Sequence, residues 1–428
     1  MAINKKNRSI LVLGMAVFAM LFGAGNLLLP PQLGFKTGAD WFLSYAGFSI
    51  MGVLAPLLAI WAVLYAGNYF TDVGKRANKT LGYVLATIIV LCIGPLIAIP
   101  RTGAFVYETA VLPLNPDAQN LWALVLFFAG VLTLSFSYEK TIRIIGRYMA
   151  PVLICLLAIF ILLGLFTSGG INQQTSTHVF STGFIEGYNT LDVLGAVIFA
   201  VVLISGAKNR GYTDEFSKKE VVFKSSLLAA GLMLVFYAGL FLLGSLTNTE
   251  NSVGLSNFLV NIAQNMLDGN GIYLLALLAI LTGLTTAMAL TAAVANFFDR
   301  LTNKKLGYAE GVIMCTLIAV MLAINGVEEI TAYAAQILTF VYPITLILIL
   351  TVLLFGRNIV TKTPYLVALI ITSVFSVLRL WATINPSTDF SQSLAETLPL
   401  YNYQLEWIIP SFVGFWISFF MVKKNKFH

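Results

Sequence analysis

Three groups of residues in this sequence have the types and spacings to bind small charged species. Gly23, Ala24, Gly25 and Asn26 interrupt an apolar run that extends from Ser9 to Pro31. Glycine costs about 1 kcal/mol relative to alanine inside a helix, so Gly23 and Gly25 weaken the middle of that run. A turn unwound there exposes carbonyls at the end of one half-helix and amides at the start of the next; carbonyls suit a cation and amides a carboxylate. The same glycines would equally serve close packing against a neighbouring helix. Thr282, Thr285 and Thr286 form the second group. Spacings of three and four put Thr282 on one helical face with the other two, and hydroxyl oxygens are hard ligands for a small hard cation. Threonines in apolar helices also bond their own preceding carbonyls, which would leave them no ligand role. The third group is ionic: Arg101 and Glu108 share one face of an apolar segment, and Asp192 opens a later one. Ionisable residues inside a span are costly and mark functional sites. Arg101 paired with Asp192 or Glu108 would make either an outer gate or a permanent ion pair that fixes packing.

The elements that must position these groups are membrane helices. Charged residues make up 10% of the 428 residues and apolar residues 58%, where a soluble domain carries roughly a quarter charged. Apolar stretches predict helices over 9–31, 41–67, 83–111, 120–137, 144–167, 189–207, 222–246, 271–297, 308–325, 329–355, 364–383 and 404–422, about twelve crossings. With the N-terminus inside, alternate loops should be basic. Lys75, Arg76 and Lys79 fall in one, then Lys140, Arg143 and Arg147, then Lys208, Arg210, Lys218, Lys219 and Lys224. Arg300, Lys304, Lys305, Arg357, Lys362, Lys423, Lys424 and Lys426 complete the series, while the opposite loops hold Asp117, Glu186, Glu250, Asp268, Glu328, Glu329, Asp389 and Glu396. Trp41, Trp122, Trp381 and Trp407 fall at predicted outer ends, as an interfacial belt requires, and Arg379 is placed to snorkel. The basic opening runs into apolar sequence without a small-residue cleavage site, which reads as a retained first helix. Residues 257–267 read as a short surface helix or a solvated loop.

Cys92, Cys155 and Cys315 lie in apolar stretches without CxxC spacing and read as small core residues. The scattered basic residues form no nucleic-acid surface. An enzyme would need a nucleophile with its base or a metal cluster, yet the histidines are His178 and His428, both outside the spans, and HExxH and GxSxG are absent. A channel would need a filter-like loop or a charged ring. Segment 6 lies five crossings after segment 1 and runs the opposite way. It has its own polar entry at Asn189, Thr190 and Asp192, and two broken helices meeting at the midplane is a transporter plan.

Phe22-Gly-Ala-Gly-Asn-Leu-Leu-Leu-Pro-Pro31 resembles the branched-chain amino acid:cation symporter family. So do Ile99-Pro-Arg-Thr-Gly-Ala-Phe-Val-Tyr-Glu108, Thr190-Leu-Asp-Val-Leu-Gly-Ala-Val-Ile-Phe-Ala200 and Leu284-Thr-Thr-Ala-Met-Ala-Leu290, in order along essentially the whole chain. The resemblance implies an all-α membrane protein with the five-plus-five inverted repeat of the amino acid-polyamine-cation superfamily, a LeuT-like fold with helices 1 and 6 broken. One domain would span 1–428, with repeats at about 9–167 and 189–355 and two further helices at about 364–422. It implies import of leucine, isoleucine and valine across a bacterial cytoplasmic membrane, both termini cytoplasmic, with sodium or a proton as coupling ion and no other cofactor.

By the same resemblance, amides around Gly23, Ala24, Gly25 and Asn26 receive the substrate carboxylate. Carbonyls near Phe22, Ile198 and Phe199 receive its ammonium, and Phe199 borders its aliphatic tail. Sodium lies between the carbonyls of Ala19 and Phe22 and the hydroxyls of Thr282, Thr285 and Thr286. Family members commonly carry a glycine where this chain has Ala200, which bears on how far segment 6 unwinds. A proton carrier must titrate, threonine cannot, and segment 5 carries no lysine beside segment 8, so sodium is favoured. Glu108 and Asp192 would carry protons instead if burial raised their pKa. A carrier of the same fold for another amino acid is the remaining alternative, since pocket volume decides among side chains.

Overall fold

A chain this apolar must satisfy its backbone internally, and helices do so without edges. The computed structural model describes residues 2–167, 169–171, 177–247, 254–359, 361–386 and 388–424, and every regular element among them is helical. Glu250, Lys426 and His428 lie outside the described residues. The first apolar run forms two helices, α1 (Ala2–Leu21) and α2 (Ala24–Thr37). They are followed by α3 (41–66), α4 (Phe70–Gly74), α5 (Lys79–Val111), α6 (Asn120–Ser135) and α7 (Tyr138–Thr167). A second broken pair comprises α8 (Val179–Asn189) and α9 (Asp192–Asn209). Then come α10 (Glu215–Ser245), α11 (Leu255–Gln264), α12 (Gly271–Leu301), α13 (Tyr308–Ala323), α14 (Gly326–Phe355), α15 (Lys362–Ile384), α16 (Asp389–Thr397) and α17 (Ile408–Lys424). Among the described residues eight helical stretches, including α5, α7, α9, α10, α12, α14 and α15, are long and apolar enough to cross a membrane; α6, α13 and Ile408–Val422 of α17 are shorter apolar helices.

The broken helices sit at the centre. α1 and α2 pack along α10, α8 and α9 pack along α3, and α12 touches α1, α5, α6 and α13. α15 pairs with α14 and α17 at the C-terminal end. Contact between α2 and α10 is closest at two glycines: a Cβ at Gly34 would lie 1.9 Å from the Phe241 carbonyl oxygen, and one at Gly244 would lie 1.8 Å from that of Pro31. α5 is irregular. It carries a wide π turn at Tyr107–Val111, and within Cys92–Leu96, between Gly94, whose φ/ψ of −80°/−115° leaves the helical region, and Pro95, which lacks an amide donor, its first half ends in a kink. Similar turns occur at Ile50–Leu54 in α3 and Ile145–Met149 in α7.

Several sequence-based expectations need correction. The stretch before Asn189, expected as outer loop, is helix α8, so segment 6 begins about ten residues earlier and breaks at its predicted start. Of the two readings for the stretch near 257–267, the short helix holds and the loop does not: residues 255–264 are a helix with Phe258, Leu259, Val260 and Ile262 buried. Cys155 is exposed on α7, whereas Cys92 and Cys315 are buried as expected. Trp407 is fully buried and donates to the Gln404 carbonyl at 3.0 Å, so it does not join the interfacial belt, while Trp122 is exposed. Arg379 does not snorkel. It donates to the Tyr401 carbonyl at 2.9 Å, stacks on the Tyr401 ring and lies 3.8 Å from the Glu406 carboxylate.

Candidate functional site

The break between α1 and α2 falls at Phe22–Gly23, where Gly23 is extended (φ −99°, ψ −167°). Two amides are redirected. Those of Gly23 and Asn26, which in an unbroken helix would close on the carbonyls of Ala19 and Phe22, donate instead to Leu21 at 2.8 Å and Gly23 at 3.1 Å. The Asn26 side chain reinforces the break, donating from Nδ2 to the Leu21 carbonyl at 2.5 Å and to the Asp192 carboxylate at 3.0 Å. From the other side, α12 brings Thr286 against the gap: a Cβ at Gly23 would lie 3.3 Å from Thr286 Cγ2 and 3.4 Å from its Oγ1. Thr285 bonds its own helix, donating to the Thr282 carbonyl at 3.0 Å. The hydroxyls of Thr282 and Thr286 are buried and have no partner among the described residues. Buried hydroxyls almost always find one, so these oxygens, that of Thr286 against the gap whose carbonyls have lost their usual amides and that of Thr282 about one turn along the same helix, have the donor chemistry for a small hard cation.

The second break falls at Thr190–Leu191. Leu191 adopts φ +70°, a left-handed conformation that leucine rarely takes and that clusters at functional sites. α5 delivers Arg101 to this break: Nη1 donates to the Asn189 carbonyl at 3.0 Å and Nη2 to the Thr190 carbonyl at 3.2 Å, satisfying the free end of α8. The same guanidinium lies against the start of α2, with Nη2 3.0 Å from where a Gly25 Cβ would be. Asp192 accepts from Asn26 at 3.0 Å and from the Tyr237 hydroxyl at 3.3 Å. One arginine and one aspartate thus tie both breaks together, along with Asn26 and Tyr237. Tyr237 was not legible as a partner from sequence; a phenol in the middle of an apolar helix, needing a bond for its hydroxyl, was the available signal.

Neither pairing expected for Arg101 forms. Its bonds go to neutral carbonyls, and Glu108 lies elsewhere, accepting from Ser256 Oγ at 2.5 Å and from the Val327 amide at 2.8 Å. The carboxylate caps the start of α14 and holds α11 to it, a favourable placement beside a helix N-terminus. Glu108→Ala should therefore cost about 2 kcal/mol, read as a lower unfolding midpoint in detergent. An unchanged midpoint would show that these contacts contribute nothing.

Ile198 and Phe199 need a further correction. They lie two turns inside the unbroken α9, where the helix's own amides use the carbonyls, so neither offers a free acceptor. The carbonyls freed at the second break are those of Asn189 and Thr190, and Arg101 occupies them. The Phe199 ring is buried, 3.5 Å from where a Gly195 Cβ would lie, with Leu21 of α1 near the same point. Ile198 lines a cavity of 370 Å³ together with Tyr69, Asp72, Tyr138 and Arg300. A second cavity of 790 Å³, on the face that bears the N-terminus, carries Lys5, Arg8, Arg143, Arg147 and Arg210 against Glu139 and also reaches Tyr138.

A family model described as "Branched-chain amino acid transport protein" matches residues 6–425. The branched-chain amino acid permease BraB of Bacillus subtilis (strain 168) is 31% identical over 418 residues, covering 94% of this chain and 93% of that protein. The branched-chain amino acid permease BrnQ of Escherichia coli (strain K12) is 30% identical over 419 residues, covering 95% and 94%. Among solved structures, Mhp1, a nucleobase-cation-symport-1 family transporter closed around bromovinylhydantoin, superposes with a TM-score of 0.59 at 15% identity over 93% of this chain and 95% of that one. MhsT in complex with L-phenylalanine gives 0.52 at 15% identity over 96% and 98%. At such identity the likeness shows a shared transporter fold.

Proposed function

Because the chain belongs to the branched-chain amino acid transport protein family, we propose that it is a secondary active symporter that imports leucine, isoleucine and valine with sodium by alternating access. It is a transporter and not an enzyme. One observation carries the choice of coupling ion: the unpartnered hydroxyl of Thr286 lies beside the break whose redirected amides release the carbonyls of Ala19 and Phe22, with that of Thr282 about one turn away on α12. Sodium replaces its hydration shell there with oxygens from both helices, and by drawing α12 to the break it favours the conformation that holds substrate. The substrate would lie between the two breaks, near Gly25, Asn26 and Phe199. We place both termini in the cytoplasm of a bacterial cell, on the basic side of the membrane, so the two cavities reaching Tyr138 would open inward. Proton coupling is the second reading, favoured by the burial of Asp192 between the breaks.

Reconstitution tests the two directly. Labelled leucine should accumulate in proteoliposomes under an inward sodium gradient, and unlabelled isoleucine and valine should compete while glutamate and lysine should not. Accumulation driven by a proton gradient alone would replace sodium with the Asp192 route. No leucine uptake under either gradient would refute the substrate.

A further inference from the structure

Resting on the reading above, we propose that the substrate is held by two buried charges which the protein keeps apart, Arg101 for the carboxylate and Asp192 with Asn26 for the ammonium. The site would then select zwitterions, rejecting aliphatic acids and aliphatic amines of the same shape.

Arg101 is 6% exposed and Asp192 4%. Among the described residues neither enters an ion pair, with the other or with a third group. Every hydrogen-bond partner they have is neutral: two carbonyls for the arginine, an amide and a phenol for the aspartate. Each charge feels the other at a distance, but neither has a counter-charge in contact; burial without such contact is expensive, and it persists where something else supplies the opposite sign at close range. The positions suit an α-amino acid, whose two charged groups are one carbon apart. The guanidinium abuts Gly25 and the carboxylate is bonded to the next residue, Asn26. Capacity remains on both sides. Arginine has five N–H donors, of which two nitrogens here hold one carbonyl each. Among the described residues Asn26 Oδ1 is a buried acceptor with no partner, on the same carboxamide as the Nδ2 that bonds Asp192. An ammonium donating to Asp192 and Asn26 Oδ1, and a carboxylate accepting from Arg101, would neutralise both charges at once. This differs from recognition by backbone alone, which would be indifferent to the charge at 101 and 192.

The test is a selectivity measurement on the purified full chain in nanodiscs. Binding of labelled leucine is competed by leucine, by 4-methylpentanoate, which lacks the ammonium, and by isopentylamine, which lacks the carboxylate. The parent protein should reject both analogues. Asp192→Asn should weaken leucine by about 30-fold or more, the range for removing one side of a buried charged contact, while leaving 4-methylpentanoate unaffected, so that its disadvantage against leucine collapses. Arg101→Gln should do the same for isopentylamine. Should either variant fail to fold, Tyr237→Phe, which takes one hydrogen bond from Asp192 but no charge, should narrow the discrimination against 4-methylpentanoate by about threefold or more, and Arg101→Lys should keep the discrimination against isopentylamine at lower affinity. Folded variants with the parent's selectivity against both analogues would overturn the proposal. A parent protein that binds no leucine would instead refute the transport reading on which it rests.

Discussion

Thr286→Ala should strip leucine uptake of its sodium dependence while leaving the protein folded, and Thr282→Ala made with it should deepen the loss. Both hydroxyls are buried and bonded to no protein group, so their removal deletes an unsatisfied polar atom and should cost little stability. The expected effect is on the ion. Removing a group that merely supports a metal ligand typically costs about 10–100-fold in affinity, and losing a ligand oxygen should cost at least as much. The sodium concentration for half-maximal uptake should rise by that factor, with Thr286→Ser close to the parent because it keeps the oxygen. Uptake by Thr286→Ala with the parent's sodium curve would remove this threonine from the cation site.

Gly244→Ala should be among the most destabilising single substitutions in the chain, and Gly34→Ala should match it. A methyl at Gly244 would stand 1.8 Å from the Pro31 carbonyl oxygen, a backbone atom that cannot rotate away. Overpacking of a tight core costs about 1–3 kcal/mol and sometimes more; with backbone as the obstacle we expect about 3 kcal/mol or greater. The matched control is Gly231→Ala on the same helix, where nothing lies within 4 Å and alanine's better helix propensity should leave stability equal or improved. Thermal unfolding of the three variants in one detergent is the measurement. Equal midpoints for Gly231→Ala and Gly244→Ala would mean that α2 and α10 do not approach as described.

The first break was legible because glycines at 23 and 25 stand inside an apolar run, although close helix packing would have explained them as well. The second was legible only as a polar entry. Its preceding half-helix was hidden by Gly183 and Gly187, which read as loop residues. In the folded chain they allow α8 to cross α3 at close range: a Cβ at Gly183 would lie 2.1 Å from the Ser44 carbonyl oxygen. The expected partners of Arg101 failed for a related reason. Helical spacing put Arg101 and Glu108 on one face, but the π turn at Tyr107–Val111 lies between that register and its continuation, and Glu108 turns to α11 and α14 instead. Local periodicity cannot report a turn that depends on distant packing, nor a backbone acceptor such as the Thr190 carbonyl that exists only because another helix has ended.

The kink at Gly94–Pro95 and the wide turn at Tyr107–Val111 have a mechanical consequence for the part of α5 that lies between them. Residues 98–106, with Arg101 at their centre, are the stretch bounded by Cys92–Leu96 and Tyr107–Val111. A π turn stores a surplus residue, and one residue of an α-helix is a swing of about 100° about the axis. Releasing that surplus against the kink would turn the short cylinder between the two like a key in a lock, carrying the arginine away from the end of α8 while the remainder of α5 stays anchored in the bilayer.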